Sequence, residues 1–239
     1  MTSIWAACLW GLSAGTSMGL GGLTPQSGRS RDRHLQWSAV AEFDPARIDL
    51  PDELLGPRVR LRPYREDDAQ QLWEAIEESR EHLGAWLPWV KDYGDRSDAN
   101  ITVRRLQARW LQREDLVTGI FDQASDRLLG GSGLHRMDWQ IRRFEIGYWV
   151  RKSAEGHGYV SEAVQVLTRF AFTQLEANRV LIRMDPANTR SRAIPERLEF
   201  VYEGRLRNEM PDVEGRPTDI DVFALIPADF KRLSWAGLS

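Results

Sequence analysis

From about Leu54 the chain alternates apolar and polar positions with two different periods. In "RVRLRPY", Val59 and Leu61 alternate with Arg58, Arg60 and Arg62, the period of a half-exposed strand. "REDDAQQLWEAIEESREHL" places Ala69, Leu72, Trp73 and Ile76 on one helical face, with Asp67 and Asp68 suited to that helix's positive end. "GAWLPWV" interrupts the pattern with a proline between two tryptophans. "SDANITVRRLQARWLQRE" then predicts a second helix, with Val103, Leu106 and Trp110 on one side. Three strand-like runs follow: "LVTGIF", "RLLGGSGLHRM" and "RRFEIGYWV". The last sets Phe144, Ile146, Tyr148 and Val150 against Glu145, Gly147 and Trp149.

After "RKSAEGHG", Val160, Ala163, Val164, Leu167, Phe170 and Ala171 share a helical face fit to pack on a sheet. "RVLIRM" is a short apolar strand, "NTRSRAIPERL" a short helix, and "FVYEGRL" and "DIDVFALI" are closing strands. A strand, a helix and a strand in succession form a crossover, so the strands flanking the glycines run parallel. Turns as short as "QASDR" make the earlier strands antiparallel. The predicted fold class is α/β (α+β): a mixed, mostly antiparallel sheet with helices on both faces and one parallel crossover pair.

Composition narrows the setting. The 239 residues suit one domain with an extension, divided here as a flexible N-terminal extension and linker (1–53) and a folded domain (54–239). A formal charge of −3 supplies no electrostatic reason to expect nucleic acid. The single cysteine, Cys8, has no intrachain partner, which suits a reducing, cytoplasmic setting. Four scattered histidines lack metal-ligand spacing, so no metal is expected. The first 26 residues are apolar but rich in Gly and Ser, which argues against stable membrane insertion.

Candidate chemistry centres on Gly156, His157, Gly158, Tyr159 and Val160, between a strand and a helix. Such glycines let the backbone approach a ligand and aim free N–H groups at it, and a phosphate there meets the helix's positive end. They also make an ordinary tight turn. The dinucleotide fingerprint and the Walker loop are both absent.

"EIGYWV", "GHGYVSEAV", "NTRSRAIPERLEF" and "EGRLRNE", in that order, resemble the successive landmarks of the GNAT acyl-CoA N-acetyltransferase superfamily. "REHLGAWLPWV" resembles a segment of its subgroup related to the ribosomal-protein N-terminal acetyltransferases. The resemblance runs from about Leu54 to Leu233. It implies acetyl-CoA as co-substrate, with pantetheine on the strand backbone near Trp149, Val150 and Arg151. It puts the pyrophosphate on the amides of Gly156, His157, Gly158, Tyr159 and Val160, and a further cofactor contact at Asn188. Ser191 corresponds to a residue near the sulfur that protonates it. Two departures stand out: Glu155 opens the loop with a negative charge that Arg151, Lys152 and His157 would offset, and Val160 is bulkier than the usual residue. The family's tyrosine acid aligns with Pro195.

The implied reaction is direct acetyl transfer to a primary amine, either a small-molecule amine or a protein N-terminus. The alternative is a non-catalytic acyl-CoA-binding domain. The ammonium must lose a proton, and Glu145 and Glu209 are the candidate bases. Against that, Glu145 would equally serve as a surface carboxylate paired with Arg142 or Arg143, and Ser191 as a helix cap. Trp86, Trp89 and His135 are candidate acceptor contacts, although tryptophans commonly fill cores. A homodimer is allowed for.

Overall fold

A computed structural model describes residues 44–237. Cys8, His34 and most of the predicted extension lie outside them. Eight strands form one sheet: β1 (Leu54–Leu55), β2 (Val59–Arg62), β3 (Leu116–Asp122), β4 (Leu128–Asp138), β5 (Arg143–Val150), β6 (Arg179–Met184), β7 (Val201–Pro211) and β8 (Pro217–Leu225). They are ordered β1-β2-β3-β4-β5-β6-β8-β7. Neighbours are antiparallel except β5 and β6, which run parallel as the crossover predicts.

The helices are α1 (Ala69–Gly84), α2 (Arg96–Gln112), α3 (Tyr159–Thr173), α4 (Thr189–Arg197) and the single turn α5 (Pro227–Phe230). α1 and α2 cover one face of the sheet, where Leu72, Ile76, Val103 and Leu106 meet Phe121 and Leu128. α3 and α5 cover the other, where Leu167, Phe170 and Phe230 join a core with Ile120, Phe144 and Ile146. α2 begins where Asp95 accepts the Ser97 amide at 2.6 Å, with Asp98 returning a bond to the Asp95 amide at 3.1 Å. That reciprocal pair satisfies two otherwise orphaned donors.

One departure from the pattern concerns Arg62, expected on an exposed face. It is buried, because Asp68, while accepting the Arg65 amide at 2.6 Å at the helix start, also binds the guanidinium at 2.6 and 2.8 Å. The cation also lies 3.8 Å over the Phe121 ring. Residues 44–53 lie along the domain, with Ile48 and Leu50 against the α3-side core.

Candidate active site

β5 and β6 pair only from Arg143↔Arg179 to Glu145↔Leu181. Beyond that point β5 keeps its partner β4 as far as Gly130↔Val150, while β6 follows β8. The sheet therefore splits between its two parallel strands. Arg151 N donates to Leu129 O at 2.8 Å, so alternation along the antiparallel ladder points the backbone groups of Tyr148 and Val150 away from β4 and into the split. His82 Nε2, from the last turn of α1, lies 3.2 Å from Val150 O.

The loop from β5 to α3 forms the mouth of this split. Gly156 and Gly158 take left-handed backbone conformations (φ +78° and +80°), which glycine adopts without strain. Two carbonyls of the loop are tied back: Glu155 O by His157 Nδ1 at 2.8 Å, and His157 O by Arg58 Nη1 at 3.0 Å. A peptide unit is planar and trans, so the N–H groups of Gly156 and Gly158 point the opposite way, outward. No side chain caps α3. Among the described residues, none of the amides of residues 156–160 has a protein acceptor. The alternative of an ordinary turn, its groups satisfied internally, does not describe this loop.

Glu155 sits inside this mouth. Lys152 Nζ donates to it at 2.8 Å, Arg190 Nη1 donates at 2.7 Å, and His82 Nε2 is 3.7 Å away. Burial pushes the carboxyl up, but the Lys152 bond and the charges of His82 and Arg190 outweigh it and hold Glu155 below the ordinary carboxylate range. The offsetting groups are thus Lys152, as expected, and Arg190. Arg151 and the His157 ring do not serve. Val160 is buried and packs into the core beneath α3. Because Glu155 stays ionised through neutrality, Glu155→Gln should tighten binding of a phosphate ligand about fivefold, the effect of removing about 1 kcal/mol of repulsion. Titration calorimetry with acetyl-CoA should show this gain unchanged between pH 6 and 8; equal affinity would place the carboxylate away from the phosphates.

Three cavities follow the split. One of about 690 Å³ lies at the glycine loop and reaches Arg190 and Arg197. The next, about 710 Å³, occupies the split and shares Val150, Glu155 and Val160 with the first. The last, about 470 Å³, shares Trp86, Tyr148, Asn188 and Ser191 with the second and is lined further by Glu145, Asp185 and Asp212. They form one trough.

The predicted site residues fall unevenly along it. Asn188 Oδ1 accepts the Ser191 amide at 3.1 Å, so Asn188 is the cap of α4 and Ser191 stands one turn inside. Ser191 Oγ lies 3.2 Å from the Tyr148 hydroxyl. Glu145 is not a surface residue paired with Arg142 or Arg143. It is buried on the cavity floor, held by Arg136 Nη1 at 3.0 and 3.1 Å and facing Arg183 Nε at 3.1 Å. Burial raises its carboxyl pKa against the pull of Arg136. Arg136 reaches it from an irregularity in β4, where the chain turns left-handed (φ 45°) and re-aims the side chain. Glu209 is half-exposed on β7 and bound to Arg183 Nη1 at 3.0 Å. Trp86 lines the trough and is 39 % exposed.

Three expectations are corrected. Arg151 has its amide engaged by Leu129, and its buried guanidinium turns to Glu78, so it leaves only Trp149 and Val150 at the split. Trp89 is a core residue packed edge-on against Tyr93 and Trp149. His135 is fully buried, 3.4 Å from the interior carboxylate of Asp115, and lines none of the three cavities. Tyr148, Arg136 and Arg190 were missed.

A family model described as an acetyltransferase (GNAT) domain matches residues 58–201. The chain belongs to the GNAT acetyltransferase family. Among its relatives, the Bacillus subtilis protein named "Putative ribosomal N-acetyltransferase YdaF" is 30 % identical over 174 residues, 72 % of this chain and 93 % of that protein. The ribosomal-protein-serine acetyltransferase of Escherichia coli is 26 % identical over 149 residues, 62 % and 82 % of the two chains. The structure of Mycobacterium smegmatis RimJ in complex with CoA-disulfide, 24 % identical, shares the fold at a TM-score of 0.70 over 81 % of this chain and 94 % of that one. This acetyltransferase takes its acetyl group from acetyl-CoA. Its residues fit that molecule: bare amides at 156–160 suit a pyrophosphate, and the split offers strand backbone to a narrow arm.

Proposed function

We propose that this acetyltransferase modifies the α-amine of a protein N-terminus, working in the cytoplasm with residues 54–239 as the catalytic unit. The observation that carries the reading is the trough, which runs from the glycine loop through the split to a separate cavity large enough for a chain end. That cavity is lined by carboxylates suited to a cationic amine (Glu145, Asp185, Asp212). The ribosomal-protein names among the relatives support the same acceptor. Single-cysteine usage suits a reducing compartment, and among the described residues no helix is long and apolar enough to cross a membrane.

Roles follow from position. Gly156, His157, Gly158, Tyr159 and Val160 hold the pyrophosphate of acetyl-CoA through their amides, and Tyr148 and Val150 present strand backbone to its pantetheine arm, the backbone of Trp149 being turned to β4 like that of Arg151. When bound, acetyl-CoA supplies an acetyl thioester. Glu145 takes the amine's proton, which its raised pKa favours. Val150 N–H faces the split, where a developing oxyanion can be held. Ser191 protonates the leaving sulfur, and Asn188 fixes the turn that carries Ser191. Trp86 borders the acceptor.

Thiol release from acetyl-CoA with a panel of N-terminal peptides and polyamines tests the acceptor. Peptides should turn over and polyamines should not; the reverse order would sink the reading. Ser191→Ala should lower kcat about tenfold with peptide, below the roughly hundredfold or more usual for an acid because a thiolate leaves readily.

A further inference from the structure

Tyr148 lies on the part of β5 that β6 has left, and it lines both the split and the acceptor cavity. Its hydroxyl is 3.0 Å from the carbonyl oxygen of Ser191 and 3.2 Å from Ser191 Oγ. A carbonyl only accepts, so the phenol donates in the first contact, while in the second either oxygen can be the donor. When Ser191 Oγ gives up its hydrogen, the phenol 3.2 Å away is placed to donate to it. With the Ser191 amide bound to Asn188 at 3.1 Å, the residue is pinned from both sides.

We propose that Tyr148 positions the Ser191 hydroxyl and resupplies its proton as coenzyme A departs, an assignment that rests on Ser191 being the acid. Acidity favours the pair over serine alone. An aliphatic alcohol is a much weaker acid than a thiol, whereas a phenol at about 10 stands within roughly 2 units of a thiol at about 8.5. Ser191 gives its hydroxyl proton to the sulfur that has kept the carbon–sulfur electron pair. Tyr148 gives its phenolic proton to Ser191 Oγ. The phenolate recovers a proton from water in the open cavity, balanced by the one the amine released.

The test uses Tyr148→Phe, Ser191→Ala and the double variant, with two readouts. In the binary complex with coenzyme A, thiolate absorbance reports the ionisation of the bound thiol without turnover. Loss of a donor to the thiolate raises that thiol's pKa, so each single variant should raise it, and the double variant no further than Ser191→Ala. In turnover, each single variant should lose about tenfold in kcat, with KM for acetyl-CoA within twofold and no additional loss in the double. Wild-type behaviour of Tyr148→Phe in both readouts, with Ser191→Ala impaired, overturns the role of Tyr148 alone. A Tyr148→Phe effect undiminished in the Ser191→Ala background overturns the relay, and a silent Ser191→Ala overturns the reading of Ser191 itself. If Tyr148→Phe fails to fold, 3-fluorotyrosine at 148 makes the phenol more acidic with little change in packing. The bound thiol's pKa should then fall, and an unchanged value overturns the proposal.

Discussion

Glu78→Ala should lower stability by about 2 kcal/mol and the melting temperature by roughly 4–8 °C, less than for a fully buried pair because Arg151 is buried but Glu78 itself is exposed. Glu78, on α1, holds the corner where β5 turns into the cofactor loop. Its Oε2 accepts Arg151 Nε at 3.0 Å, and its Oε1 accepts the Ser153 amide at 2.6 Å. Ser79 Oγ accepts the Lys152 amide beside it. Removing the carboxylate leaves the buried Arg151 guanidinium uncompensated and releases the segment that leads to Gly156. Acetyl-CoA affinity should fall with stability.

The pH dependence has a definite sign. Burial raises the Glu78 carboxyl, but the bonds from Arg151 and Ser153 prevail and lower it from 4.5 to about 2. A depressed carboxylate contributes its full stability above the ordinary value and loses it as pH falls from about 4.5 to about 2. Chemical denaturation of wild type and Glu78→Ala should therefore give curves that converge across this window. A gap that stays constant down to pH 2 would mean that the carboxylate's charge is not what stabilises the corner.

Much of the fold was legible because it rests on local period and connection length. The apolar face from Val160 to Ala171 sits between two strand-like runs, and that order alone makes β5 and β6 parallel. Burial of charge was not legible. Both faces of the sheet are covered, so alternation in "RRFEIGYWV" separates two interiors rather than inside from outside, and Glu145 read equally as a base and as a surface carboxylate. Its true partners sit on the neighbouring strands: Arg136 across the hairpin on the irregular part of β4, and Arg183 across the crossover on β6.

The site divides the same way. The glycine loop could be found, since left-handed residues before a helix demand glycine and the helix start leaves amides bare. Tyr148 carried one usable signal, its place on the last turn of alternation before that loop, but nothing in the sequence showed that α4 would present Ser191 to it. Trp89 and Trp86, three residues apart, part company because a proline-led turn over Pro88–Asp92 buries one and leaves the other at the trough.

Gly130→Ala should cost about 3 kcal/mol, the upper range for overpacking, and should weaken acetyl-CoA binding beyond what lost stability explains. A Cβ at Gly130 would run into the backbone carbonyl of Trp149 and come within 2.9 Å of Val150 Cα. These are the two residues of β5 that wall the split, and backbone cannot rotate aside as a side chain can. The strand would move toward the gap that β6 leaves open, narrowing the passage the pantetheine arm needs. Gly215→Ala, in the turn between β7 and β8 and away from the cofactor loop, is the control. Nothing lies within 4 Å of its added Cβ, so its cost is confined to left-handed strain of about 1 kcal/mol. Thermal melts and calorimetry on both variants separate the effects. If Gly130→Ala bound acetyl-CoA like wild type, the close contact of β4 with β5 would not set the width of the split.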